Sequence, residues 1–317
     1  VSGYSSAGAA ASIAEQLALK DTANGGSMMA SPNEQAPELS ILFPVRDETV
    51  NIAIAMKLLS SLVETAHEVL IVYDKADDES VAATRAIQDQ YPYLRLVYND
   101  LGRGVVNAIR KGVQESRAPY VLVSCVDDMG PLMAIDDMVA LLREGCDFVS
   151  GTRYAYGGRR LGGSFAGKAL STGANVILRM CGSVLTDATT GLKMFKREAF
   201  ARLELESRPI GWVVAFELGL KAQLVGFQLG EVPLLSVDRL YGGESTFVLG
   251  PWFIEYLRWL LWGVVQINKN RSRMRRDVVV RVPGATATNK RAGSIANSPR
   301  PAASVDSNQR KSSDDRT

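Results

Sequence analysis

The sequence predicts an α/β fold: a mostly parallel, Rossmann-like sheet with helices on both faces. Two observations carry that prediction. Strand-like apolar runs alternate with helical patterns from residue 39 to residue 149, the spacing of successive βαβ units. Acidic clusters directly follow three of those runs, at the carboxyl ends where open parallel sheets hold their ligands.

Taken in order, the run Leu39–Pro44 is predicted to lead into a helix from about Thr49 to Leu62. Glu68–Tyr73 leads into a helix from about Glu79 to Gln90, and Leu94–Tyr98 into one from about Gly104 to Glu115. Tyr120–Ser124 precedes a helix from about Met133 to Glu144, and Asp147–Val149 is a fifth strand. The acids are Asp47 and Glu48 after the first run, Asp74, Asp77 and Asp78 after the second, and Asp127 and Asp128 after the fourth. Each cluster alone could cap the next helix. Three together suit a divalent cation, Mg²⁺ or Mn²⁺, carrying a diphosphate. No Walker P-loop or GxGxxG turn is present, so phosphates are not cradled in the usual dinucleotide manner.

The remaining composition narrows the classes. Cys125, Cys146 and Cys181 have no metal-like spacing and His67 is the one histidine, so a zinc site is not expected. Residues 1–37 read as a disordered leader without a signal-peptide core. From Asn268 onward, twelve Lys/Arg stand against four Asp, a net +8, which leaves −6 on the rest of a chain whose total is +2. That basic tail, residues 269–317, points to an anionic lipid partner; a nucleic acid is not expected. Residues 248–268 read as an amphipathic helix. On a helical wheel Glu255, Arg258, Gln266 and Lys269 form a polar stripe bordered by Trp252 and Trp259, opposite Phe253, Leu257, Leu260, Leu261, Val264 and Ile267. Such a helix suits a membrane surface, with a core helix and a spanning helix as the rival readings.

Several motifs then give a resemblance. Leu42-Phe-Pro-Val-Arg-Asp-Glu-Thr-Val-Asn-Ile52, Val72-Tyr-Asp-Lys-Ala-Asp-Asp-Glu-Ser80 and Ser124-Cys-Val-Asp-Asp128 are followed by Gly151-Thr-Arg-Tyr154 with Gly157-Gly-Arg159. Thr186-Asp-Ala-Thr-Thr-Gly-Leu-Lys-Met-Phe195, Phe216-Glu217, Gly226–Pro233 and Val237-Asp-Arg239 with Gly243-Glu-Ser245 complete the series. In this order they resemble the family-2 glycosyltransferases, and within them the dolichyl-phosphate mannose synthase-like enzymes. The resemblance implies a GT-A fold over residues 38–247. It also implies inverting transfer of a hexose from GDP-mannose or UDP-glucose to a polyprenyl or dolichyl phosphate, at the cytosolic face of a membrane. It carries catalytic positions to Asp127, Arg153 and Asp187, and nucleotide-sugar positions to Pro44, Val45, Arg46, Glu48, Asp74, Asp78 and Asp127. Acceptor-phosphate positions fall on Arg153, Lys168, Ser171, Arg239 and Ser245, and metal positions on Asp127 and Asp128. The chain departs from the pattern at Tyr73, Cys125, Gly167 and Thr246. A saccharide or protein hydroxyl as acceptor, and nucleotide-sugar binding without turnover, are the alternatives.

Overall fold

The computed structural model describes residues 36–237, 249–283 and 288–291. Arg239, Ser245, most of the expected leader and most of the basic tail lie outside the described residues. The strands are β1 (Leu39–Pro44), β2 (His67–Tyr73), β3 (Leu94–Tyr98), β4 (Tyr120–Val123), β5 (Phe148–Thr152), β6 (Arg159–Leu161), β7 (Lys193–Lys196), β8 (Leu229–Pro233), β9 (Leu235–Val237), β10 (Asp277–Val280) and β11 (Thr288–Arg291). The α-helices are α1 (Val50–Leu62), α2 (Glu79–Ile87), α3 (Val105–Glu115), α4 (Ile135–Arg143), α5 (Phe165–Cys181), α6 (Val213–Leu224) and α7 (Leu249–Asn270).

Among the described residues one large sheet runs β11-β10-β8-β5-β7-β4-β1-β2-β3, and β6 pairs with β9 beside it. β7 is antiparallel to both β4 and β5, and β10 to β11; the other pairs in the large sheet are parallel. The central strands are apolar on both faces because helices cover both. Ile41, Phe43, Val69 and Ile71 meet Ile52, Met56 and Leu59 of α1 and Met138 and Leu142 of α4 in one core cluster. Leu42, Leu70 and Val72 face Val106 and Ile109 of α3 with Val214 and Leu218 of α6 in the other. The chain winds outward from β1 through β2 to β3 and then returns to β4 on the other side of β1. That reversal opens a crevice between the carboxyl ends of β1 and β4.

The last helix is rotated from its expected setting. Glu255, predicted on the solvated stripe, is 2% exposed and its Oε1 pairs with Arg258 Nη1 at 2.9 Å. Trp259 and Ile267 turn inward with it, joining Leu178, Val213, Phe216 and Leu220 in a third core cluster. Gly263 makes this close packing possible: a Cβ there would lie 2.9 Å from Leu220 and 3.3 Å from Leu178. The outward face carries Phe253, Ile254, Leu257, Leu261 and Val265. The helix thus carries large apolar side chains on both its packed and its exposed faces. No helix among the described residues is long and apolar enough to cross a membrane.

Candidate active site

The β1 loop forms one lip of the crevice. Val45 N donates to Val72 O at 3.0 Å, continuing the strand pairing past Pro44. Asp47 then takes a left-handed φ of 55°, which turns the chain sharply towards α1. Asp78 stabilises that turn from beneath. Its Oδ1 accepts from Asp47 N at 3.1 Å and from Ser80 N at 2.8 Å, so one carboxylate oxygen fixes the loop and caps α2. Ser80 Oγ accepts from Glu48 N, and Asn51 Nδ2 donates to Glu48 Oε2. Asp74, at the end of β2, accepts through Oδ2 from Gly104 N at 2.9 Å. Gly104 has φ 108° and Pro209 would lie 2.5 Å from an added Cβ, so only glycine fits. Asp74 and Asp78 therefore shape the rim through the backbone, and Arg46 stands exposed above it.

The opposite lip is the loop after β4. Asp128, expected beside Asp127 at a metal, also holds β9: its Oδ2 accepts from Ser236 Oγ at 2.7 Å and its Oδ1 from Val237 N at 3.0 Å. Burial, followed by the charges of Asp127, Asp128 and Glu48, pushes the Cys125 thiol well above its ordinary range. The thiol is therefore neutral, and acids from both lips act on one point. Gly130 lets this loop approach β9, since a Cβ would lie 1.9 Å from Leu235 O. Gly130→Ala is expected to cost about 1–3 kcal/mol of stability through that backbone clash, measurable by urea denaturation.

Among the described residues, no group of three or more His, Cys, Asp or Glu gathers to hold a metal by protein ligands alone. The oxygen donors present still fit a magnesium-like cation, which takes one or two carboxylates and completes its shell from phosphates. Asp127, in the loop after β4, is the candidate ligand.

Beyond β5 lies a cluster centred on Arg153 and Asp187. Arg153 Nε and Nη2 reach Asp187 Oδ2 and Oδ1 at 2.7 and 3.0 Å, a bidentate ion pair. Nη2 also meets Ser171 Oγ at 3.3 Å and Thr189 Oγ1 at 2.9 Å. Burial alone would neutralise Asp187, but the charge and hydrogen bonds of Arg153 outweigh it and hold the carboxyl below its ordinary value. Burial likewise works against the Arg153 charge, and Asp187 reverses the sign. Ser171 Oγ contacts Tyr154 Oη and Thr189 Oγ1 as well. Lys168 stands exposed one turn earlier on α5, on the face of Ser171. Arg159 and Arg160 lie apart on β6.

Sequence reasoning missed Asn175, whose Nδ2 reaches Asp187 Oδ1 and Thr189 Oγ1 at 3.2 and 3.1 Å. Its signal was available: it follows Ser171 by one helical turn, on the side of α5 that also carries Lys168. His67 is buried against Tyr93, with Nδ1 2.7 Å from Thr65 O, away from the crevice.

The model of the family described as glycosyl transferase family 2 matches residues 40–204, just over half of the chain and both lips of the crevice. The chain belongs to glycosyl transferase family 2. Among curated family relatives, the dolichol-phosphate mannosyltransferase of Pyrococcus furiosus is 24% identical over 225 residues, 70% of this chain and 62% of that protein. Glycosyltransferase AglD of Haloferax volcanii is 25% identical over 227 residues, 65% of this chain and 35% of that one. The chain thus spans less than two thirds of either relative's length. Solved structures share the GT-A fold. Glucosyl-3-phosphoglycerate synthase from Mycobacterium tuberculosis, in complex with Mn²⁺, UDP and glucosyl-3-phosphoglycerate, superposes with TM-score 0.55 at 15% identity, covering 76% of this chain and 85% of that chain. Mannosyltransferase PcManGT from Pyrobaculum calidifontis, in complex with GDP-Man and Mn²⁺, gives 0.53 at 16%, covering 82% and 72%.

Proposed function

We propose that this family-2 chain transfers a hexose, with inversion, from GDP-mannose or UDP-glucose to the phosphate of a polyprenyl lipid at a membrane surface. The observation that carries this reading is the meeting of a phosphate-type cluster with an apolar exterior. Arg153 joins Ser171 of α5 in the cluster described above, and the same helix turns Phe165, Val176, Ile177 and Met180 outward. Helix α7 packs beside α5 and exposes its own apolar face. Among the described residues, ten of the sixteen exposed large apolar side chains lie on these two helices, more than scattered surface residues explain. Tyr256 of α7 stacks on Phe216 at 6.3 Å and feels the charge of Arg153, so α7 borders both the lipid-facing surface and the site.

In this reading the donor diphosphate lies in the crevice over the β1 and β4 loops, with Asp127 holding a divalent cation, Mg²⁺ or Mn²⁺. When bound, the cation neutralises charge on the departing nucleoside diphosphate. Arg153 uses Nε and Nη2 on its protein partners, which leaves the Nη1 edge to meet an acceptor oxygen. Lys168 adds a second cation along α5, and Arg239 and Ser245, outside the described residues, are assigned to the same phosphate. A phosphate monoester with second pKa near about 6 is already largely a dianion at neutral pH. It therefore attacks the anomeric carbon without a carboxylate base: the new C–O bond forms as the bond to the diphosphate breaks.

The surface is assigned to a lipid bilayer because the exposed Arg271, Arg273, Arg275 and Arg276 follow α7 directly, each attracting an anionic leaflet by roughly 1 kcal/mol. Leu257→Glu with Leu261→Glu should abolish flotation with phosphatidylserine-containing vesicles while changing stability by less than about 0.5 kcal/mol. Undiminished flotation would contradict the assignment. So would a wild-type dimer in sedimentation that the double variant converts to monomers, which would mean that a second copy covers the face.

A further inference from the structure

Three neighbouring strands carry a polar row through the middle of the sheet. Glu231 of β8, Ser150 of β5 and Lys193 of β7 are in register with one another, so their side chains share one face. All three are 0% exposed. Burying an acid and a lysine in a sheet interior is costly, and an apolar substitute is often neutral or stabilising. Burial lowers Lys193 to about 7 and raises Glu231 to about 7.

What the row touches indicates its use. The hydrogen bonds of Glu231 and Lys193 do not join them to each other; they converge on the main chain of residues 186 and 187. Glu231 Oε1 accepts from Thr186 N at 2.7 Å and from Asp187 N at 3.4 Å, and both its oxygens take the Thr186 hydroxyl. On the other side of the same residues, Lys193 Nζ donates to Asp187 O at 3.3 Å and to Ser150 Oγ at 2.7 Å. Ser150 Oγ in turn lies 3.1 Å from Asp187 O and 3.0 Å from Gly151 O, the two carbonyls sharing its one proton. The N–H side of Asp187 is thus fixed by a carboxyl group and its carbonyl side by the Lys193 amino group and a hydroxyl. We propose that Glu231, Ser150 and Lys193 are positioning residues that clamp the Asp187 backbone and so set the direction in which Arg153 presents its guanidinium to the acceptor phosphate.

The geometric part of this inference stands on the hydrogen bonds alone; the part that concerns phosphate affinity rests on the acceptor reading above. Two measurements on the full chain keep them apart: the ¹⁵N–¹H resonance of Arg153 Nε, and calorimetric binding of citronellyl phosphate. The variants are Lys193→Met, which removes the buried amino group at similar volume, and Ser150→Ala, the milder change. Both are expected to shift the Arg153 Nε resonance and speed its exchange with water. Lys193→Met should also weaken citronellyl phosphate by about tenfold, as loss of a buried hydrogen bond would, with UDP and GDP affinities unchanged. If Lys193→Met does not fold, Ser150→Ala decides on the resonance. An unaltered Nε resonance in the folded variants would overturn the proposal. Wild-type protein that binds no citronellyl phosphate would overturn the acceptor reading while the resonance still judged the clamp.

Discussion

Asp187→Ala is expected to lower the folding free energy by about 3–5 kcal/mol, the usual cost of leaving one member of a buried ion pair without its partner. Asp187 is fully buried and the Arg153 side chain is 11% exposed, so water cannot replace the lost carboxylate. The same substitution strips acceptors from Asn175 Nδ2, Thr189 N and Thr189 Oγ1. Urea denaturation measures the loss directly. The pH dependence has a definite sign. Because the folded carboxyl lies below its ordinary value of 3.8, its stabilisation is complete above that pH and fades as the pH falls through the lower folded value. Wild-type protein should therefore lose stability in acid more steeply than the Asp187→Ala variant does.

Asp127→Asn is expected to reduce turnover by at least about a hundredfold, since a cation that stabilises a leaving diphosphate contributes several kcal/mol. Melting should change little, because Asn keeps the volume and shape of Asp. The control is Asp128→Asn, which should disturb the link to β9 and lower stability first. If Asp127→Asn retains most of its activity, the donor diphosphate is held elsewhere.

The central sheet was legible because strands buried on both faces leave largely apolar runs, as β1 and β4 do, and because the edge strand β3 keeps apolar residues around Arg95. β7 and β8 are a different case. Lys193-Met-Phe-Lys196 and Leu229-Gly-Glu-Val-Pro233 each bury an ionisable side chain within the sheet, which periodicity alone reads as solvent-facing. The rotation of α7 has the same origin: a wheel turns Glu255 outward, whereas the pairing with Arg258 lets it be buried. At the site, acids at strand ends were readable as a group, but their individual tasks were not. Asp74, Asp78 and Asp128 spend carboxylate oxygens on main-chain N–H groups of Gly104, Asp47 and Val237, partners that sequence spacing does not reveal. The Arg153–Asp187 pair joins residues 34 positions apart, brought together by the pairing of β5 with β7 and by contacts from β8 and α5.

The most direct test of the account is to incubate the full chain with Mn²⁺, polyprenyl phosphate and radiolabelled GDP-mannose or UDP-glucose, then partition the label between organic and aqueous phases. The account predicts labelled product in the organic phase, dependent on polyprenyl phosphate and on Arg153. Label transferred only to a water-soluble saccharide or protein would contradict the lipid acceptor, and nucleotide-sugar binding without transfer from either donor would contradict catalysis itself.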